Sequence, residues 1–316
     1  ETYWFGYVCV PPWADHKEPR AYNFTEQRML WVINWCIKKY EANPEQVYAG
    51  GGSMGAWGST TFAFRHPEIF AAVYPNRPRT QQRGMPSLAK TKPGEAVMMD
   101  DGKTPYLERM DMVKFAAGHP ADLPFYAWCC GRRDGFASFK EQIEMVKALT
   151  AAHHGFAFAW NDGDHSSGSA PMGKVTKYYG SEKLARNQSY PAFGNSSIND
   201  DIGSGEVEEM VDGKPKRVIK DGQLEGGINL GFSWRNVVDE AAKWSVAISN
   251  DLAKADMTVD VTPRRCQQFK PKAGDKFKWT NSAGGGGEVA ADVAGLVTLE
   301  KVALKPGQES VLTVEK

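Results

Sequence analysis

The chain of 316 residues has no apolar run near the ~18–20 residues needed to cross a bilayer. Its best candidate, residues 29–37, is interrupted by Asn34 and reads as one face of a water-exposed helix. Net charge is absent too, because 38 Lys and Arg balance 38 Asp and Glu. A balanced chain has no general electrostatic reason to bind nucleic acid or an anionic membrane. Cysteine is scarce: five residues, an odd number, with no CxxC, which argues against a zinc site or a disulfide framework. The Asp-rich stretch 161–165 lacks the oxygen ligands and closing acid of a calcium loop, so no metal is expected. The first residue is Glu1, and no basic segment followed by an apolar one precedes a cleavage site, so the chain reads as processed or as a fragment. With 41% hydrophobic and 24% charged residues, wholesale disorder is excluded.

What is present alternates strand and helix over the first two-thirds. Residues 4–10 form a short apolar run ending at Pro11-Pro12, as a buried strand would. Met29, Val32, Ile33, Cys36, Ile37 and Tyr40 recur at helical spacing, and Asn43-Pro44 ends that helix. Strands are expected at 46–50, 70–74, 124–130 and 155–160, with helices at 56–65 and 139–151. This order implies an α/β fold with a mostly parallel sheet covered on both faces. Residues 76–123 form a long insertion, either a lid or a decoration on the sheet edge, carrying Arg77, Arg79, Arg83, Met85, Met98, Met99, Met110 and Met112. The expected domains are 1–185, an irregular linker 186–222, and 223–316, where period-two alternation indicates a β-sandwich module. Four consecutive glycines within 283–288 read as a flexible loop.

The strongest local signal is Gly51-Gly52-Ser53-Met54-Gly55, a G-x-S-x-G between an expected strand and an expected helix. A sharp turn there strains the serine and exposes its hydroxyl above the sheet. Glycine is expected at 51 and 55 because a Cβ at either would collide with neighbouring backbone. The Met54 N–H, at a helix start, would favour negative charge on a substrate oxygen. A serine hydroxyl needs a base. Of the six histidines, His16, His66, His119, His153 and His154 sit in turns or at helix ends, whereas His165 follows the last parallel strand on the Ser53 edge. Asp134 leaves the preceding strand on the same edge and is the expected orienting carboxylate, with Asp162 and Asp164 as rivals. The order Ser53, Asp134, His165 differs from that of chymotrypsin and subtilisin. Trp57, Trp128 and Trp160 flank these residues, as core or as an apolar substrate wall; Trp57 and Trp160 are the expected substrate-binding pair.

Together these motifs resemble the α/β-hydrolase superfamily of serine esterases, and within it the polyhydroxybutyrate-depolymerase-like and feruloyl or acetylxylan esterase branch. The segments that carry the likeness are 43–56, 66–73, 131–134 and 163–165, and it covers about residues 1–185. It implies a carboxylic ester hydrolase acting on a small-molecule or polymeric ester, with Ser53, Asp134 and His165 catalytic, Met54 in the oxyanion hole, and no cofactor. It also implies an extracellular or periplasmic setting. The family places further strands and a second oxyanion donor ahead of the strand that residues 4–10 match. A missing N-terminal segment, a second chain completing the sheet, or the loop 11–22 would have to supply them. A serine peptidase of the same fold is a second reading. A third is a polysaccharide-binding protein with a degenerate hydrolase half, using Trp234, Trp244 or Trp279.

Overall fold

The computed structural model describes residues 4–9, 19–81, 97–211 and 213–316. His16, Arg83, Met85 and residues 10–18 of the loop lie outside the described residues. The described chain opens with two three-residue strands, β1 (Tyr7–Cys9) and β2 (Arg20–Tyr22), and a 17-residue helix, α1 (Phe24–Tyr40). There follow β3 (Val47–Gly52), α2 (Met54–Arg65) and β4 (Phe70–Asn76). The insertion contributes β5 (Met98–Met99), α3 (Tyr106–Arg109) and α4 (Met112–Gly118). Then come β6 (Phe125–Gly131), α5 (Phe139–Ala151), β7 (Phe156–Asn161) and α6 (Met172–Thr176).

The strands β3, β4, β6 and β7 pair in parallel, in that spatial order. Their alternating side chains split cleanly between two cores, as a pleated strand buried on both faces requires. Tyr126, Trp128, Cys130, Phe156, Phe158 and Trp160 face the helices α2, α4 and α5. Phe125, Ala127, Ala157 and Ala159 face the opposite way, into a core built largely from the C-terminal third. The sheet is therefore covered on both faces, but strands rather than helices supply most of one cover.

Residues 186–222, expected as an irregular linker, contain β8 (Tyr190–Gly194) and an antiparallel hairpin of β9 (Glu206–Val211) and β10 (Lys214–Ile219). Half of the hairpin's strand residues are charged and most are exposed, so its sequence carries no clear apolar alternation. The next strand, β11 (Gly226–Ile228), pairs antiparallel with β7 and closes the first sheet. Thus the segment from 223 onward does not begin a separate module. Beyond it lie β12 (Phe232–Glu240), β13 (Lys243–Asn250), β14 (Met257–Arg264), β15 (Lys276–Asn281), β16 (Gly286–Ala290), β17 (Leu299–Leu304) and β18 (Ser310–Glu315). They form two antiparallel sheets, ordered β12-β13-β18-β15-β16 and β17-β14-β8, whose inward side chains share one core. The glycine-rich stretch at 283–288 is half turn and half strand: β16 pairs with β15, and Gly284 and Gly285 take positive φ in the turn. Arg264 and Arg265 tie this unit to the first sheet. Arg264 Nε donates to Asp122 Oδ1 at 2.7 Å, and Arg265 Nη2 donates to the Phe70 carbonyl at 2.8 Å.

Residues 4–9 do not enter the main sheet. β1 pairs antiparallel with β2, and β2 in parallel with β5, as a separate small sheet. Phe5 packs there with Ala21, Val97, Met99, Tyr106 and Met110, so the apolar run finds its core in the insertion. β3 consequently forms an edge of the main sheet. Val32, Ile33, Cys36 and Ile37 of α1 line a groove with Val47 and Tyr48 of that edge strand, while α1 buries only Glu26 and exposes Trp31, Trp35 and Tyr40. No helix among the described residues is long and apolar enough to cross a membrane.

Candidate active site

Ser53 sits between the last residue of β3 and the first of α2, at φ 54° and ψ −115°. That backbone region is costly for a residue with a Cβ, and it is held by its surroundings. The Ser53 N–H donates to the Asn76 carbonyl at the end of β4 (3.0 Å), and the Ser53 carbonyl accepts from the Trp57 N–H (3.1 Å). The tightness of the turn rests on one glycine. A Cβ on Gly51 would lie 2.5 Å from the Gly55 carbonyl carbon, whereas a Cβ on Gly55 meets nothing within 4 Å. The expectation that both glycines are sterically required therefore holds for Gly51 alone. Gly55→Ala is expected to leave the thermal midpoint within a few degrees of wild type. Gly51→Ala should cost about 1–3 kcal/mol, because two backbone segments must part. Thermal unfolding of the two variants side by side checks this.

The three residues expected to act together are joined in line. Ser53 Oγ lies 2.8 Å from His165 Nε2, and His165 Nδ1 lies 2.7 Å from Asp134 Oδ2. An ionised carboxylate only accepts, so Nδ1 carries the proton and Nε2 is left to accept from the serine hydroxyl. The Asp134 side chain has no solvent exposure, and its other oxygen accepts from the Phe136 and Ala137 amides at 2.8 and 2.9 Å. Three hydrogen bonds thus fix one buried carboxylate. Asp134 leaves β6 and His165 leaves β7, so the parallel register sets their spacing. Gly131 permits it: a Cβ there would lie 2.3 Å from the Gly163 carbonyl oxygen.

The rival residues are engaged elsewhere. Asp162 pairs with Arg133 at 3.3 Å. Asp164 accepts from Ser167 and Ser166, which hold its carboxyl below the usual range and knot the loop around His165. His66 contacts Glu26 and Glu68. His154 is buried against the Ala116 carbonyl and Arg264, and burial pushes it down to about 3. The vicinal thiols are buried and free: burial pushes Cys129 up to about 12 and Cys130 well above its ordinary value. Neither offers a thiolate near neutrality. Among the described residues no group of three or more His, Cys, Asp or Glu side chains is arranged to hold a metal ion.

Trp57 and Trp160 are not a substrate wall. Trp160 is fully buried, its ring 6.2 Å from that of Phe139 and its Nε1 donating to the Gln223 carbonyl. Trp57 is buried beneath the Arg79 guanidinium, 5.2 Å above its ring. The exposed apolar groups at the site are Met54 and Phe136 instead. The Phe136 ring lies 4.9 Å from the His165 ring and borders a cavity of about 500 Å³ that Arg79, Lys140, Glu141, Glu144 and Arg217 also line. Phe136 follows Asp134 by two residues, and that proximity was its only signal in the sequence. Trp244, one of the three tryptophans considered for sugar stacking, is fully buried.

Met54 is the first residue of α2, where helix N–H groups have no partner within the helix. A Ser–His–Asp line ending at such an amide can deprotonate a serine hydroxyl, pass the proton on, and hold one developing negative charge.

No protein-family model matches the chain, and no curated protein matches it. Among solved structures it is similar to an S-formylglutathione hydrolase from Agrobacterium tumefaciens, at 18% identity and TM-score 0.42, over 58% of this chain and 63% of that one. It is also similar to S-formylglutathione hydrolase FrmB from Staphylococcus aureus, at 17% identity and TM-score 0.36, over 49% of this chain and 62% of that one. A ferulic acid esterase is similar at 23% identity and TM-score 0.35, over 49% of this chain and 60% of that one. The chain spans less than two-thirds of the length of each of these proteins.

Proposed function

We propose that this chain is a serine hydrolase that cleaves carboxylic esters through an acyl-enzyme. The observation that carries the reading is the hydrogen-bonded line from Ser53 through His165 to a buried Asp134, set on a strained strand-to-helix turn. Ser53 Oγ attacks the ester carbonyl while its proton passes to His165 Nε2. Asp134 stabilises the resulting imidazolium without taking its proton. The Met54 N–H stabilises the tetrahedral oxyanion. The C–O bond to the alcohol then breaks and His165 returns the proton to the departing oxygen. Water, deprotonated by the same histidine, releases the acid and restores Ser53.

The second oxyanion donor is proposed to come with a further strand paired along the outer edge of β3, from a second chain or a missing N-terminal segment. Val32, Ile33, Cys36 and Ile37 of α1 line an open groove with Val47 and Tyr48 of β3 and would be covered by the same addition. Without it, turnover is expected to be about 10²–10³ below that of a two-donor site.

Hydrolysis of short nitrophenyl esters, compared with peptide anilides, tests the reading. Ester cleavage that Ser53→Ala removes supports it. Ester cleavage that survives in Ser53→Ala removes the serine from the mechanism, and anilide cleavage of equal rate points to a peptidase.

A further inference from the structure

Arg77 follows the last residue of β4 and takes a left-handed φ of 61°, which is uncommon for an arginine. Two anchors fix it there. Its N–H donates to the Cys129 carbonyl on β6 at 2.8 Å, and its Nη1 donates to the His165 carbonyl. The other guanidinium nitrogen, Nη2, lies 3.4 Å from where a Cβ on Gly52 would be. Arg77 therefore spans the gap between the backbone preceding Ser53 and the backbone of His165. No carboxylate pairs with it among the described residues, and its Nε is buried without a hydrogen-bond partner.

The His165 loop needs an outside anchor. It is a surface turn whose internal bonds run among Asn161, Gly163, Asp164 and Ser167. Those bonds shape the loop but do not hold it against Ser53. Arg132 and Arg133 amides tie down its first half, at Asn161 and Gly163. On His165 itself, the described contacts from outside the loop are the Asp134 carboxylate, the Ser53 hydroxyl and the Phe136 ring on the imidazole, and Arg77 on the backbone.

We infer that Arg77 is a positioning residue for His165, holding its main chain so that Nε2 stays within reach of Ser53 Oγ. The inference rests on the proposed role of Ser53 and His165. A displacement of about 1 Å at such a distance is worth on the order of 10² in rate. A guanidinium suits the task because its fork can reach a carbonyl on one side while lying along a backbone that has no side chain on the other.

The test compares wild type with Arg77→Ala, Arg77→Lys and Ser53→Ala, by ester hydrolysis and by the rate at which a fluorophosphonate labels Ser53. Arg77→Ala is expected to lower kcat and the labelling rate by about ten- to a hundredfold with KM little changed. Millimolar guanidinium chloride, too dilute to unfold the protein, should restore part of the loss in Arg77→Ala and leave wild type unaffected. Arg77→Lys should lie between the two. Activity of Arg77→Ala within twofold of wild type overturns the inference while leaving the Ser53 reading intact. So does a folded Arg77→Ala, with an unchanged thermal midpoint, whose loss guanidinium fails to relieve. Equal hydrolysis and no labelling in wild type and Ser53→Ala would instead remove the reading of the site, and the inference with it.

Discussion

Asp134→Asn is expected to lower kcat for ester hydrolysis by about 10⁴ while KM and the thermal midpoint change little. The size of the effect follows from the tautomer. Asp134 Oδ2 accepts from His165 Nδ1 at 2.7 Å and so leaves Nε2 unprotonated toward Ser53. An asparagine amide can turn its NH₂ toward Nδ1, which then becomes the acceptor and places the proton on Nε2. The imidazole would stay in place but face the serine as a donor, unable to take a proton. The amides of Phe136 and Ala137 would still bind the remaining carbonyl oxygen, which is why the fold should tolerate the change. Steady-state kinetics and a melting curve of the same sample check both halves of the expectation. A loss under tenfold would mean that Asp134 does not set the state of His165.

Gly131→Ala should also lower activity strongly, by steric means. The last residue of β6 approaches the His165 loop so closely that an added methyl would lie 2.3 Å from the Gly163 carbonyl oxygen and 2.9 Å from that of Asp164. Both contacts are with backbone, so the loop rather than a side chain must move. The Arg133 amide, which donates to that Gly163 carbonyl at 2.9 Å, would lose its bond as well. Because His165 is two residues further on, a shift of the loop by about 1 Å should lower kcat by at least about 10². The parallel pairing of β6 with β7 should survive, so the melting midpoint is expected to fall far less than activity does. Equal activity of Gly131→Ala and wild type would show that the loop position is not critical.

The candidate site, as a geometric cluster, was legible in the sequence because its signals are local and ordered. Ser53 is flagged by a strand, a glycine-bracketed turn and a helix in succession, and His165 and Asp134 by their places just beyond apolar strands. Burial and long-range pairing were not legible. Nothing in the run 156–161 says which of its alternate residues faces helices and which faces β-strands, so Trp160 passed for a substrate contact although it is core. β11 pairs with β7 across more than sixty residues, and its three residues carry no pattern of their own. Residues 4–9 are apolar enough for a central strand, yet β1 pairs with β2 and Phe5 packs against the insertion. β16 was hidden because an edge strand starting Gly286-Gly287 has few side chains to alternate. The sequence marks Arg77 only as part of the insertion, since a positive φ in an arginine and a bond to a distant carbonyl are set by tertiary structure alone.

The central claim is that Ser53 is an activated nucleophile. Its most direct test is peptide-level mass spectrometry after exposure to a fluorophosphonate, with His165→Ala treated in parallel. The account predicts one adduct per chain, on Ser53, forming at least about a hundredfold faster in wild type than in His165→Ala. A folded wild-type chain that takes no adduct at Ser53, or that reacts there no faster than the His165 variant, would contradict it.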